Sequence, residues 1–116
     1  MSVVHFYKYQ AAGNDFLLVD NRLGEHSFSA EQISALCHRR FGIGADGLIL
    51  LNRDDQADFR MVYHNADGSE SFCGNGCRAA VDFVAEGEER GRKHPHQRAV
   101  CLTVRMQTQA DRELSC

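Results

Sequence analysis

A cysteine stands on a glycine-rich turn in Ser71-Phe72-Cys73-Gly74-Asn75-Gly76-Cys77-Arg78, just ahead of an apolar stripe formed by Cys77, Ala80, Val81 and Val84. That i, i+3, i+4, i+7 spacing predicts a helix over about 76–86, with Gly87 as its stop. A thiol at the start of a helix faces unpaired backbone N–H groups and the positive end of the helix dipole. Both favour thiolate, which makes Cys73 a candidate nucleophile or general base. Gly74 and Gly76 carry no side chain, so a carboxylate can approach the same N–H donors closely. Asn14 and Asn65 lie in glycine-containing turns. Each offers a donor and an acceptor, and each also suits such a turn for backbone reasons alone.

The elements that must position these groups follow from periodicity. Residues 3–9 and 16–20 read as strands separated by the turn composition Gln10-Ala11-Ala12-Gly13-Asn14-Asp15. Ser29 with Gln32 is a capping-box pattern opening a helix whose apolar positions are Ile33, Leu36 and Cys37, with Gly42 as its expected end. A strand follows at 48–52, and over 58–64 Phe59, Met61 and Tyr63 alternate with Arg60, Val62 and His64. Asn65-Ala66-Asp67-Gly68 is a turn leading to the Cys73 loop. The helix over 76–86 is apolar around most of its girth, the pattern of a helix enclosed by protein. A last strand is expected at 99–106, after a charged stretch over 87–98 that reads as a solvated loop. The expected fold is α+β, a curved sheet wrapped around a central buried helix over residues 1–106, with 107–116 as a polar, frayed tail.

Composition narrows the function classes. A chain of 116 residues is long enough for one domain with a real core. A net charge of −3 offers no basic excess for nucleic acid or an anionic membrane surface. The longest apolar runs are too short to span a bilayer and the N-terminus has no signal-peptide pattern, so a cytoplasmic protein is expected. The five cysteines are an odd number without the spacing of a secreted disulfide scaffold, and reduced thiols are the default. Cys73 and Cys77 form a C-x3-C pair with no second close pair after it, so no metal site is expected. Cys37 reads as a small core residue, and Cys77, one helical turn past Cys73, as a core residue with a redox partner of Cys73 as the alternative. Asp46 and Asp67 read as braces of turns, and His38 as a surface or core histidine.

Four segments in order, Ala12-Gly13-Asn14-Asp15-Phe16, Arg39-Arg40-Phe41-Gly42-Ile43-Gly44-Ala45-Asp46-Gly47, Tyr63-His64-Asn65-Ala66-Asp67-Gly68-Ser69-Glu70 and Cys73-Gly74-Asn75-Gly76, resemble the N-terminal domain of diaminopimelate epimerase. The resemblance is strongest over 5–86. It implies inversion at the α-carbon of an amino acid without a cofactor, one sulfur removing the proton and a second protonating the opposite face. Cys73 matches the N-terminal cysteine. Asn14, Asn65, Gly74 and Asn75 match residues that hold the substrate, diaminopimelate, at its non-reacting amino-acid end and its α-carboxylate. The resemblance further implies a second domain, or a partner chain, carrying the other cysteine; these residues contain no second Cys-Gly turn, so the chain alone is expected to be inactive. A homodimer is compatible with the pattern. The chain departs from the family at His64, usually an aromatic, at Cys77, usually a small residue, and at Ala79, where a cysteine is usual.

Two other functions fit the residues less fully. One is a related two-thiol isomerase of the proline racemase or hydroxyproline epimerase kind, against which the ordered Asn14, Asn65 and Cys73 motifs argue. The other is an amino-acid-binding module that keeps the anion cradle without turnover.

Overall fold

A computed structural model of the chain describes residues 2–88 and 100–106. The expected loop over 87–98 and the tail over 107–116 fall almost wholly outside the described residues. Within them run β1 (Ser2–Ala11), β2 (Asn14–Asn21), α1 (Ala30–Cys37), β3 (Gly47–Asn52), β4 (Arg60–Asn65), the short β5 (Glu70–Ser71), α2 (Gly74–Glu88) and β6 (Val100–Met106). The strands form one six-stranded sheet in the order β5-β4-β3-β2-β1-β6. Only β2 and β3 pair in parallel, as the crossover through α1 requires; the other neighbours are antiparallel.

Alternation along the strands divides the core into two. Val4, Phe6, Leu17, Val19, Leu48 and Leu50 face α1, whose Ile33, Leu36 and Cys37 complete that cluster. Tyr9, Phe16, Leu18, Ile49, Leu51 and Tyr63 face α2 and its Ala79 and Ala80. The central strands β2 and β3 are therefore buried on both faces, which explains their near-continuous apolar sequences. Through β4 and the residue before it the expected alternation holds: Phe59, Met61 and Tyr63 pack on the α2 side and Val62 on the α1 side.

The capping box at Ser29 is present in full. Its hydroxyl accepts from the Gln32 N–H at 3.1 Å, and the Gln32 side chain accepts from the Ser29 N–H at 2.9 Å. The helix ends earlier than Gly42. His38 closes it by accepting the Arg40 and Phe41 N–H groups on Nδ1, each at 3.1 Å, and Gly42 to Ala45 then bond back to the last carbonyls. Gly42 is needed for close packing, since a Cβ there would run into the Ala35 and Leu36 carbonyls.

The α+β class and the packing of sheet against helix are as expected, but the contact surface of α2 is rotated from the predicted stripe. Gly76, Ala79, Ala80, Phe83 and Val84 face the sheet, with Phe83 set 4.8 Å from Tyr7 and 6.0 Å from Tyr9 between ring centroids. Val81 is 56% exposed and Cys77 is half-buried outside both clusters, which corrects the reading of Cys77 as core. Among the described residues the sheet covers one side of α2. The aromatic bulk of Phe83 and the missing side chain at Gly76 decide which side that is.

Candidate active site

The β1–β2 hairpin turns on Ala12 and Gly13, with φ of 52° and 87°, the pair of positive values that a two-residue type I′ turn requires. Asn14 is the first residue of β2 after that turn. Across the sheet Phe16 pairs with Gly47, and Gly47 with Asn65, so Asn14 and Asn65 lie at the same end of three adjacent strands. They share strand parity with Phe16 and Tyr63, which places both on the α2 face. Helix α2 begins beside them.

Cys73 is the residue before the first turn of α2. Its carbonyl accepts the Cys77 N–H at 3.0 Å and its Sγ accepts the Gly76 N–H at 3.4 Å, so the sulfur occupies the place of an N-cap side chain. The first of these is the opening bond of the helix ladder; the second uses one of its four orphan donors, and the N–H groups of Gly74 and Asn75 stand at its mouth. The two glycines serve different purposes. A Cβ on Gly74 would meet nothing within 4 Å, leaving the approach open, whereas one on Gly76 would meet the Met61 methyl at 3.1 Å and Ile49 at 3.5 Å. Gly76 is thus there for helix-to-sheet contact and not for ligand access, which revises the expectation for that residue.

The Asn75 side-chain N–H donates to Asn14 Oδ1 at 3.1 Å, joining the start of α2 to the first hairpin across 61 positions of sequence. Asn65 closes its own turn. Its N–H donates to the Ser69 carbonyl and its carbonyl accepts the Gly68 N–H, both at 2.8 Å, while its side-chain nitrogen donates to Ser69 Oγ at 3.0 Å. Cys73, Gly74, Asn75 and Asn14 are brought together directly, and Asn65 is brought to the same sheet end by register.

Behind Asn14 lies a charge cluster of which sequence reading captured only the brace Asp46. Asp15, 9% exposed, receives Arg39 Nη1 at 3.0 Å and Nη2 at 2.8 Å, and the Asp46 N–H at 3.1 Å. Arg39 also donates to Asp46 at 2.9 Å, and Lys8 Nζ lies 3.5 Å from Asp15. The Arg39 hydrogen bonds hold the Asp15 carboxyl well below the usual carboxylate range, against an opposing penalty from burial. The Tyr63 ring meets Phe16 edge-on at 5.9 Å between centroids, and burial pushes its phenol up. Among the described residues no three His, Cys, Asp or Glu side chains gather into a metal-binding cluster. No described helix is long and apolar enough to cross a membrane.

A profile of the family described as Diaminopimelate epimerase matches residues 6–111. The chain belongs to the diaminopimelate epimerase family. The match continues beyond residue 86, where the motif resemblance weakens. The diaminopimelate epimerase of Flavobacterium psychrophilum is 57% identical over 82 residues, covering 67% of this chain and 31% of that protein. That of Chlorobaculum tepidum is 60% identical over 74 residues, covering 63% and 29%. The chloroplastic diaminopimelate epimerase of Oryza sativa is 47% identical over 88 residues, covering 73% and 25%. The chain thus spans about a third or less of the length of these curated relatives. A Bacillus anthracis phenazine biosynthesis protein of the PhzF family superposes with a TM-score of 0.57 at 21% identity, over 80% of this chain and 31% of that one, a likeness of fold.

Proposed function

We propose that this chain is the N-terminal part of a diaminopimelate epimerase and supplies one half of a two-thiol acid–base pair. The observation that carries the proposal is the sulfur of Cys73 seated at the N-cap of α2 beside the bonded pair Asn14 and Asn75. In the forward direction the Cys73 sulfur takes the α-proton. The electron pair of the broken C–H bond remains on the α-carbon and spreads into the α-carboxylate, which the Gly74 and Asn75 N–H groups receive. A thiol on the opposite face then gives a proton to the same carbon, and the configuration inverts between the L,L and meso forms. Asn14, Asn65, Gly74 and Asn75 hold the diaminopimelate molecule. An α-proton is a very weak acid, so charge stabilisation and exclusion of water must supply most of the rate.

On this proposal residues 1–106 are the N-terminal domain, the second thiol comes from a C-terminal domain or a partner chain, and neither pyridoxal phosphate nor a metal takes part. The setting is the cytoplasm, with a homodimer as a compatible assembly.

The test is incorporation of deuterium from D2O at the α-carbon of L,L-diaminopimelate. The 116-residue chain alone should give negligible inversion. Joined to a C-terminal part bearing its own cysteine, it should give exchange with inversion that Cys73→Ala abolishes. Exchange on proline in place of diaminopimelate, or tight binding without exchange in the joined protein, would overturn the proposal. Inversion by the chain alone, lost in Cys73→Ala, would refute the half-site argument while keeping the family chemistry.

A further inference from the structure

We propose that Ser69 and Asp67 are positioning residues that fix which way the Asn65 amide faces, and so which of its atoms are left for the substrate. The inference rests on the reading of Asn65 as a substrate-holding residue.

The argument is a count of protons and lone pairs. Asp67 Oδ1 receives the Ser69 N–H at 2.8 Å and the Ser69 hydroxyl at 2.6 Å, the short length of a hydroxyl bound to a carboxylate. A serine has one hydroxyl proton. With that proton given to Asp67, Ser69 Oγ can only accept, and the partner it accepts from is Asn65 Nδ2 at 3.0 Å. The amide nitrogen, not its oxygen, must therefore point at Ser69. On the other side the one proton of the Ser71 hydroxyl is shared between Asn65 Oδ1 at 3.4 Å and the Phe72 carbonyl at 3.5 Å, so Ser71 accommodates this orientation and leaves Ser69 to fix it. An asparagine amide has two N–H groups and two lone pairs on oxygen. One N–H is engaged by Ser69 and the oxygen meets only the shared Ser71 hydroxyl, leaving one donor and at least one acceptor lone pair, a match for the carboxylate and ammonium of an amino-acid end.

The turn that holds the three residues is itself fixed. Gly68 has a φ of +91°, and a Cβ there would run into the backbone of Ala30 at the start of α1. The Asp67 carboxyl is held below its ordinary value, first by the Ser69 side-chain hydrogen bond and then by the Ser69 N–H, so it remains an acceptor at neutral pH. Without the carboxylate, the Ser69 hydroxyl could donate to Asn65 and stabilise the flipped amide equally well.

The test compares Ser69→Ala, Ser69→Thr and Asn65→Ala in the two-part enzyme, with the side-chain amide resonance of Asn65 followed by NMR in the 116-residue chain. Ser69→Ala should raise KM for diaminopimelate about fivefold to tenfold, the effect of losing one modest hydrogen bond, with kcat changed less than twofold. Ser69→Thr, which keeps the hydroxyl, should restore both values, and only Ser69→Ala should shift the Asn65 amide resonance. An unshifted resonance, or an unchanged KM in Ser69→Ala beside a raised KM in Asn65→Ala, would overturn the positioning role alone. An unchanged KM in Asn65→Ala would remove the substrate reading of Asn65 and the positioning role with it.

Discussion

Replacing Asp15 by Asn should destabilise the fold and should also change how its stability depends on pH. The Asp15 carboxylate is nine-tenths buried and accepts two Arg39 N–H groups and one backbone N–H, all between 2.8 and 3.1 Å. An asparagine keeps the shape but turns an NH2 group toward the guanidinium, where two donors meet. Hydrogen bonds to charged groups contribute about 1.5–3 kcal/mol each in protected sites. The Arg39 side chain is 60% exposed, so water recovers much of the loss, and a total of about 2 kcal/mol is the reasonable expectation. In urea that is a midpoint lower by about 1 M or slightly more. The sign of the pH effect follows from the lowered carboxyl. Its contribution is fully present above the ordinary value of 3.8 and is lost as pH falls below it. The gap between the two proteins should be flat from about pH 7 to 5 and smaller by about 1 kcal/mol at pH 3. Other lowered carboxyls, such as Asp20 beside Arg22, titrate in both proteins and cancel in the difference. Equal midpoints at pH 7, or a gap unchanged at pH 3, would refute the account of Asp15.

Iodoacetamide at neutral pH should label Cys73 faster than Cys77 and far faster than Cys37, which is 2% exposed and whose thiol burial pushes up to about 11; peptide mass spectrometry of partly labelled chain measures the order. Gly74→Ala should leave thermal stability unchanged or slightly raised, because the added methyl meets nothing, and should still weaken diaminopimelate binding in the two-part enzyme by closing the approach to the helix donors. Gly68→Ala should cost about 2 kcal/mol or more in urea denaturation, since it combines a positive φ with a backbone clash at Ala30.

The fold was legible wherever local chemistry and burial point the same way. Ser29 and Gln32 announced α1, the doubly buried β2 and β3 showed as apolar runs, and the alternation of Phe59, Met61 and Tyr63 gave β4 its two faces. The local geometry of the candidate site was legible for a related reason: a cysteine before a helix, glycines beside it and an asparagine in a tight turn are each local statements. What sequence could not give is pairing across distance. Arg39 meets Asp15 from 24 positions away and Asp46 meets it from 31, and only the parallel register of β2 with β3 brings them together. Ser69 and Ser71 were passed over because a serine after a turn has no distinctive spacing, although its geometry decides the orientation of Asn65.

The case of α2 shows why periodicity overstates enclosure. Its sequence places Cys77, Ala80, Val81 and Val84 on one arc and Ala79, Ala80, Phe83 and Val84 on the next, and counting apolar residues cannot choose between them. Packing chooses by volume. Phe83 is the largest of these side chains and fills the space beside Tyr7 and Tyr9, while Gly76 opposite Met61 and Ile49 lets the first turn approach the sheet. Once those two contacts are made, a rotation that buried Val81 would lift Phe83 out of its aromatic partners and strain the Asn75 bond to Asn14. Val81 therefore remains outside. The same two contacts that orient the helix in the core hold its N-terminal sulfur at the sheet end where Asn14 and Asn65 converge, so the helix packing and the proposed chemistry depend on one geometric choice.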